Sequence, residues 1–188
     1  MFSYFKNKTI KTICMKKVFL LLTMMSLSVA ILSCGGKETK QNIEAPAGMV
    51  ALDLSKYGKQ FSIFVPDTAT AKLEVTEQSW GALEIRVGKT FQLSITEDPG
   101  DIELRKSDIK SNDINIFKAF VLEEPLTIMW ESQIVKPEFH FYTIQKIGNN
   151  TYVFEDLVPA DGEPLSKETI QKMLDSSKSI VAKEKVAA

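Results

Sequence analysis

Apolar residues recur with a period of two along most of the chain from Met49 to Phe154, and with a helical period only near the C-terminus. A period of two lines one face of a β-strand, whereas spacings of three and four line one face of a helix. Val50, Leu52 and Leu54 alternate with Ala51, Asp53 and Ser55, and Phe61, Ile63 and Val65 lead to a break at Pro66-Asp67. Leu73 and Val75 continue the pattern. Leu83, Ile85, Val87 and Phe91, Leu93, Ile95 flank Gly88-Lys89. That predicts a two-residue hairpin turn with Gly at the position needing a positive φ. Pairing across it puts those six residues on one buried face.

Asp98-Pro99-Gly100-Asp101 interrupts the strands. Asp98 is a candidate N-cap with Pro99 in the first turn, so a weakly amphipathic helix carrying Ile102 and Ile109 is predicted as far as Ser111. Strands return at Ile116–Leu122 and, after a turn at Pro125, at Leu126, Ile128 and Trp130. Phe139–Lys146 places Phe139, Phe141 and Thr143 on one face and His140, Tyr142 and Ile144 on the other. Gly148-Asn149-Asn150 is turn chemistry, and Thr151–Phe154 is a strand. Near the end, Ile170, Met173, Leu174, Ser177 and Val181 fall on one helical face behind Ser166, a candidate N-cap. The predicted class is α+β: an antiparallel sheet of hairpins with a middle helix and a C-terminal amphipathic helix packed on it. Residues 49–188 form one domain, long enough to bury about two-thirds of its extended-chain surface.

The first 33 residues do not belong to this pattern. They carry Lys6, Lys8, Lys11, Lys16 and Lys17 and no acid, while the rest holds 18 basic and 24 acidic residues. The formal charge of −1 therefore averages a basic leader and an acidic remainder. Lys16-Lys17 precede a stretch from Val18 to Leu32, 15 residues long and interrupted only by Thr23, Ser26 and Ser28. A membrane-spanning helix needs about 20 residues. A charged start, a short apolar core and a small residue before a cut site describe a secretory signal at residues 1–33. Met15, directly before the two lysines, is a candidate true start. Residues 34–48 are small, polar and Pro-containing, the composition of a flexible tether.

Ile31-Leu32-Ser33-Cys34-Gly35 resembles the lipobox of bacterial lipoproteins. That resemblance implies cleavage between Ser33 and Cys34, a thioether-linked diacylglycerol on Cys34 and an acyl chain (palmitate is typical) on its amine. It also implies a lipid-anchored place in the cell envelope, with the outer membrane of a Gram-negative bacterium the commoner destination. One chain alone binds a bilayer only marginally, so several on one residue suit a stable anchor. The chain has two cysteines, and Cys14 would leave with the leader, so no free thiol remains for catalysis or metal binding. Tyr57-Gly58 before Phe61–Pro66, with the closing helix from Ser166, is similar to the PsbP/Mog1-like α/β/α sandwich. Proteins of that class are mostly non-catalytic accessory or binding proteins, and the resemblance assigns no site residue here.

Composition removes several classes. The acidic mature part lacks the basic footprint of a nucleic-acid binder. No Gly-rich phosphate loop occurs, and no cofactor or metal motif is recognised. His140 is the single histidine and is read as a strand residue rather than a ligand or base. The acidic groups Glu97-Asp98-Asp101, Glu123-Glu124 and Glu155-Asp156 with Asp161-Gly162-Glu163 are read as solvated loops, because none follows a calcium-loop pattern. Trp80, Trp130, Tyr142 and Tyr152 are read as core rather than as an aromatic binding face. Asp67-Thr68-Ala69 resembles the Asp-Ser/Thr-aliphatic O-glycosylation motif of some Gram-negative anaerobes, which implies Thr68 as an acceptor.

The expected function is that of a membrane-anchored envelope lipoprotein with a non-catalytic accessory domain, not an enzyme, that binds a protein partner. Binding of a small ligand or a glycan is the alternative, and a carboxylate-based hydrolase is the third.

Overall fold

In the computed structural model, residues 44–69 and 71–182 are described. The leader, Met15, Cys34 and most of the tether lie outside them. The described part is mostly antiparallel β-structure with two α-helices, an α+β arrangement.

Two sheets form where the sequence reading expected one. A three-stranded sheet holds β1 (Met49–Asp53), β2 (Phe61–Pro66) and β10 (Val181–Ala182), with β2 in the centre. The other strands are β3 (Leu73–Glu77), β4 (Leu83–Val87), β5 (Phe91–Glu97), β6 (Ile116–Glu124), β7 (Thr127–Gln133), β8 (Pro137–Ile147) and β9 (Asn150–Asp156). They form a seven-stranded antiparallel sheet in the order β3-β4-β5-β9-β8-β7-β6. Two helices complete the fold: α1 (Ile102–Lys110) and α2 (Lys167–Lys178).

The alternation seen along the chain becomes two cores on the two faces of the larger sheet. Leu83, Ile85, Val87, Phe91, Leu93 and Ile95 pack with Phe61, Ile63 and Val65 of the small sheet and with Ile170, Met173 and Leu174 of α2. On the opposite face, Ile102 and Ile109 of α1 cover Ile128, Trp130, Tyr142, Ile144 and Val153. The two helices therefore lie on opposite faces. β8 shows the switch residue by residue, since Phe141 joins the first core and Tyr142 and Ile144 the second.

Local departures have local causes. The β4–β5 pairs Leu83↔Ile95, Ile85↔Leu93 and Val87↔Phe91 are those expected, but Gly88, Lys89 and Thr90 make a three-residue loop with Gly88 at φ 57°. Asp98 does not cap α1. Its carboxylate accepts from Gly100 N in a tight turn, and Asp101 accepts from Leu104 N at 2.9 Å as the N-cap. Ser166 caps α2 through Thr169 N, but the helix stops at Lys178, and Val181 pairs with Ser62 as a strand. Leu126 is exposed in the turn before β7 rather than part of it. Tyr57-Gly58 ends a short 3-10 turn, Ser55–Tyr57.

Candidate functional site

Helix α1 lies across the sheet face that carries His140, and its polar flank leaves a cleft of about 250 Å³. Spacing places Arg105 there: it shares a helix face with Ile102 and Ile109, three positions after one and four before the other. Arg105, Asp108, Asn112 and Asn115 meet Trp130, His140, Asp156 and Val158 around this cleft.

His140 is the centre of the contacts. Its side chain is 17% exposed, its Nδ1 lies 2.8 Å from Asp156 Oδ2, and its Nε2 lies 3.3 Å from Asn115 Nδ2. The acid beside Nδ1 makes that nitrogen the donor to Asp156, and a neutral ring then accepts from Asn115 at Nε2. The imidazole stacks on Trp130 with centroids 5.2 Å apart, and Glu138 lies 3.6 Å from Nε2. Burial pushes the His140 pKa down, as does Arg105, but the hydrogen bond and charge of Asp156, helped by Glu138, outweigh both and raise it.

Asp156 ends β9 just past its last pairing with β8, Tyr142↔Glu155. Its second oxygen accepts from Phe141 N at 2.8 Å, so the side chain supplies the bond the missing strand would have made. Arg105 Nη2 donates to Glu155 at 2.8 Å while its guanidinium lies 5.7 Å from the Trp130 ring centre and 5.4 Å from that of Tyr142. Burial raises the Glu155 pKa, with Asp156 adding to the rise and Arg105 opposing it. Among the described residues, Arg105 Nε, Asn115 Oδ1 and Ser132 Oγ are buried without a hydrogen-bond partner. Ser132 shares the face of His140, yet Nε2 is taken by Asn115, and among the described residues no nucleophile hydrogen-bonds the imidazole.

The residues singled out from sequence disperse. Trp130, Tyr142 and Tyr152 are buried in the cores, but Trp80 is 70% exposed at the β3–β4 turn, contrary to its reading as core. Thr68 lies in an exposed turn where Asp67 Oδ1 accepts from Ala69 N. Among the described residues no three His, Cys, Asp or Glu side chains gather as a metal site. Asp161 pairs with Lys89, Glu163 with Lys136 and Glu123 with Lys106. Cys34 falls outside the described residues. Glu155-Asp156, read from the sequence as a solvated loop, instead ends β9, with the Asp156 side chain 7% exposed against His140. The helical spacing of Arg105 is the other local sign of this convergence, and nothing local marks Asn115.

The chain matches no protein-family model, no curated protein and no solved structure.

Proposed function

We propose that this chain is a bacterial envelope lipoprotein, cut before Cys34 and held through lipid on Cys34 in the outer membrane of a Gram-negative cell. Its α+β domain is a non-catalytic accessory module that binds an envelope protein. The anchor rests on the sequence: the lysine pair, the 15-residue apolar core and the Ile31–Gly35 lipobox. The observation that carries the domain's role is the commitment of His140, whose two nitrogens face Asp156 and Asn115 while one ring face is stacked on Trp130. A general base needs a free lone pair aimed at substrate. This ring serves as a buried cross-brace between β8, β9 and the α1–β6 link. Helices on opposite faces of one sheet agree with the layering of the PsbP/Mog1-like sandwich that the sequence resembles. Thr68, exposed at its turn, remains the proposed glycan acceptor.

The cleft favours the second reading, a small-ligand or glycan site. Indole, two amides, a guanidinium and carboxylates line it, a mixture of donors and acceptors suited to a neutral hydroxylated molecule. A hydrolase is the weakest reading, since Glu155 and Asp156 are already engaged by Arg105 and His140.

Cell fractionation combined with in-cell cross-linking tests the proposal. The wild-type chain is expected in the outer-membrane fraction with one enriched protein partner. Cys34→Ser is expected to block the cut and remove the chain from that fraction. A wild-type chain recovered in the soluble fraction, or one that cross-links to nothing while correctly placed, would overturn the proposal.

A further inference from the structure

The strand register sorts the turns of the larger sheet between two ends. One end holds the β3–β4 turn with Trp80, the β8–β9 turn at Gly148 and the exit of β5 at Glu97. The other holds the β4–β5 loop, the β7–β8 turn, the α1–β6 link and the segment that leaves β9. The small sheet can be oriented against these. Phe61 lies 5.1 Å from Tyr152, and Lys59 Nζ lies 3.7 Å from Glu97, so β2 starts at the first end. β2 then runs on to a short link that enters β3 at Leu73, opposite Val87, which is the second end. Met49 pairs with Pro66. The segment descending from Cys34 therefore joins the domain at the second end.

That end also gathers most of the exposed aliphatic side chains. Ile116 pairs with Gln133, Ile134 and Val135 follow directly, and Ile114 sits two residues before Ile116. Val158, on the segment leaving β9, is exposed nearby on the rim of the cleft that Asn115 lines. Val135 is 81% and Ile114 76% exposed. Lys72, Lys89 and Lys136 lie at the same end, each in an ion pair with Glu74, Asp161 or Glu163. Each lysine is matched by a carboxylate, so net positive charge does not distinguish this end; the cluster of aliphatic tips does, and such tips are what a bilayer interface takes up.

We infer that this end of the domain, led by Ile114, Ile116, Ile134 and Val135, docks on the lipid surface that holds the Cys34 anchor. The inference rests on the lipoprotein reading above and adds the orientation of the domain. Fourteen residues separate Cys34 from Met49, and a flexible linker of that length spans about 20 Å root-mean-square. A lipid at Cys34 thus keeps this end at high local concentration beside the membrane, so weak insertion suffices. Trp80 and the exposed Leu126 lie at the opposite end.

Once Cys34 is acylated, an introduced cysteine is the sole free thiol, which provides a clean probe. The full chain with Val135→Cys, Ile114→Cys or Trp80→Cys is produced in a Gram-negative host. It is labelled with an environment-sensitive dye and reconstituted into phosphatidylethanolamine/phosphatidylglycerol vesicles bearing nitroxide-labelled lipid. Mass spectrometry checks the lipid on each sample. Quenching at positions 135 and 114 is expected to exceed that at position 80 at least twofold. Equal, weak quenching at all three positions on acylated protein overturns the docking and leaves the anchor standing. Position 135 shielded only when envelope proteins are added also overturns it, in favour of a protein partner there. A product without lipid on Cys34 overturns the anchor and the docking together.

Discussion

His140 and Asp156 meet at 2.8 Å across the end of β8 and β9, and the same carboxylate holds the amide of Phe141 with its other oxygen. One acid thus closes both a side-chain contact and a backbone gap, in a place where its side chain is only 7% exposed. Most of what can be measured about this face follows from that arrangement.

The pair predicts a definite pH dependence. Burial alone would lower the His140 pKa, but Asp156 and Glu138 raise it above the ordinary 6.5. A group with a raised folded-state pKa stabilises fully below its unfolded value and loses that contribution as pH climbs through the folded value. Urea midpoints are therefore expected to hold up to pH 6.5 and to fall above it, and His140→Gln is expected to remove the fall. Because the chain has one histidine, a single imidazole resonance followed by NMR reports the titration directly. A resonance that titrates below 6.5 contradicts the account.

Asp156→Ala removes the acceptor of a buried amide as well as the partner of His140. An unsatisfied buried donor costs about 1–3 kcal/mol, so denaturant unfolding should show a loss of that size. The His140 pKa should fall in the same variant, since burial and Arg105 are then opposed by Glu138 alone. Asp156→Asn keeps an acceptor for Phe141 and should restore part of the stability without the raised pKa.

Two glycines at positive φ should differ sharply. A methyl on Gly100 (φ 66°) would come within 2.7 Å of Ile144 and 3.0 Å of the Tyr142 hydroxyl, whereas one on Gly148 (φ 62°) meets nothing within 4 Å. Gly148→Ala should cost only the left-handed strain of about 1–2 kcal/mol. Gly100→Ala should cost more, since α1 must shift off the sheet. Equal thermal shifts for the two variants would show that the close approach of Gly100 to β8 is wrong.

Phe61 is fully buried between the two sheets, edge-on to Tyr152. Phe61→Ala is expected to cost about 3–5 kcal/mol, in line with other Phe truncations in cores. Limited proteolysis should then cut first in the β2–β3 link, where the small sheet joins the larger one.

Much of the scaffold was legible because short-range pattern dictates it. Alternation placed Leu83, Ile85, Val87, Phe91, Leu93 and Ile95 in register, and the Ser166 cap with the spacing of Ile170, Met173 and Leu174 marked α2. Where two residues offered the same local chemistry, the choice was made by packing: Asp98 and Asp101 can each cap a helix, and the turn at Gly100 against Ile144 selects Asp101. Val181 fits the helical period but is captured by the open edge of β2, a pairing 119 positions away in sequence (Val181↔Ser62). The split into two sheets and the convergence of Arg105, Asn115, Trp130, His140 and Asp156 are likewise long-range. No local period records which strands become neighbours.

The most direct measurement for the account as a whole is the intact mass of the full chain purified from the outer membrane of a Gram-negative host. A polypeptide starting at Cys34 and heavier than its sequence by a diacylglycerol and an acyl group is expected. A retained leader, or an unmodified thiol at Cys34, would contradict it.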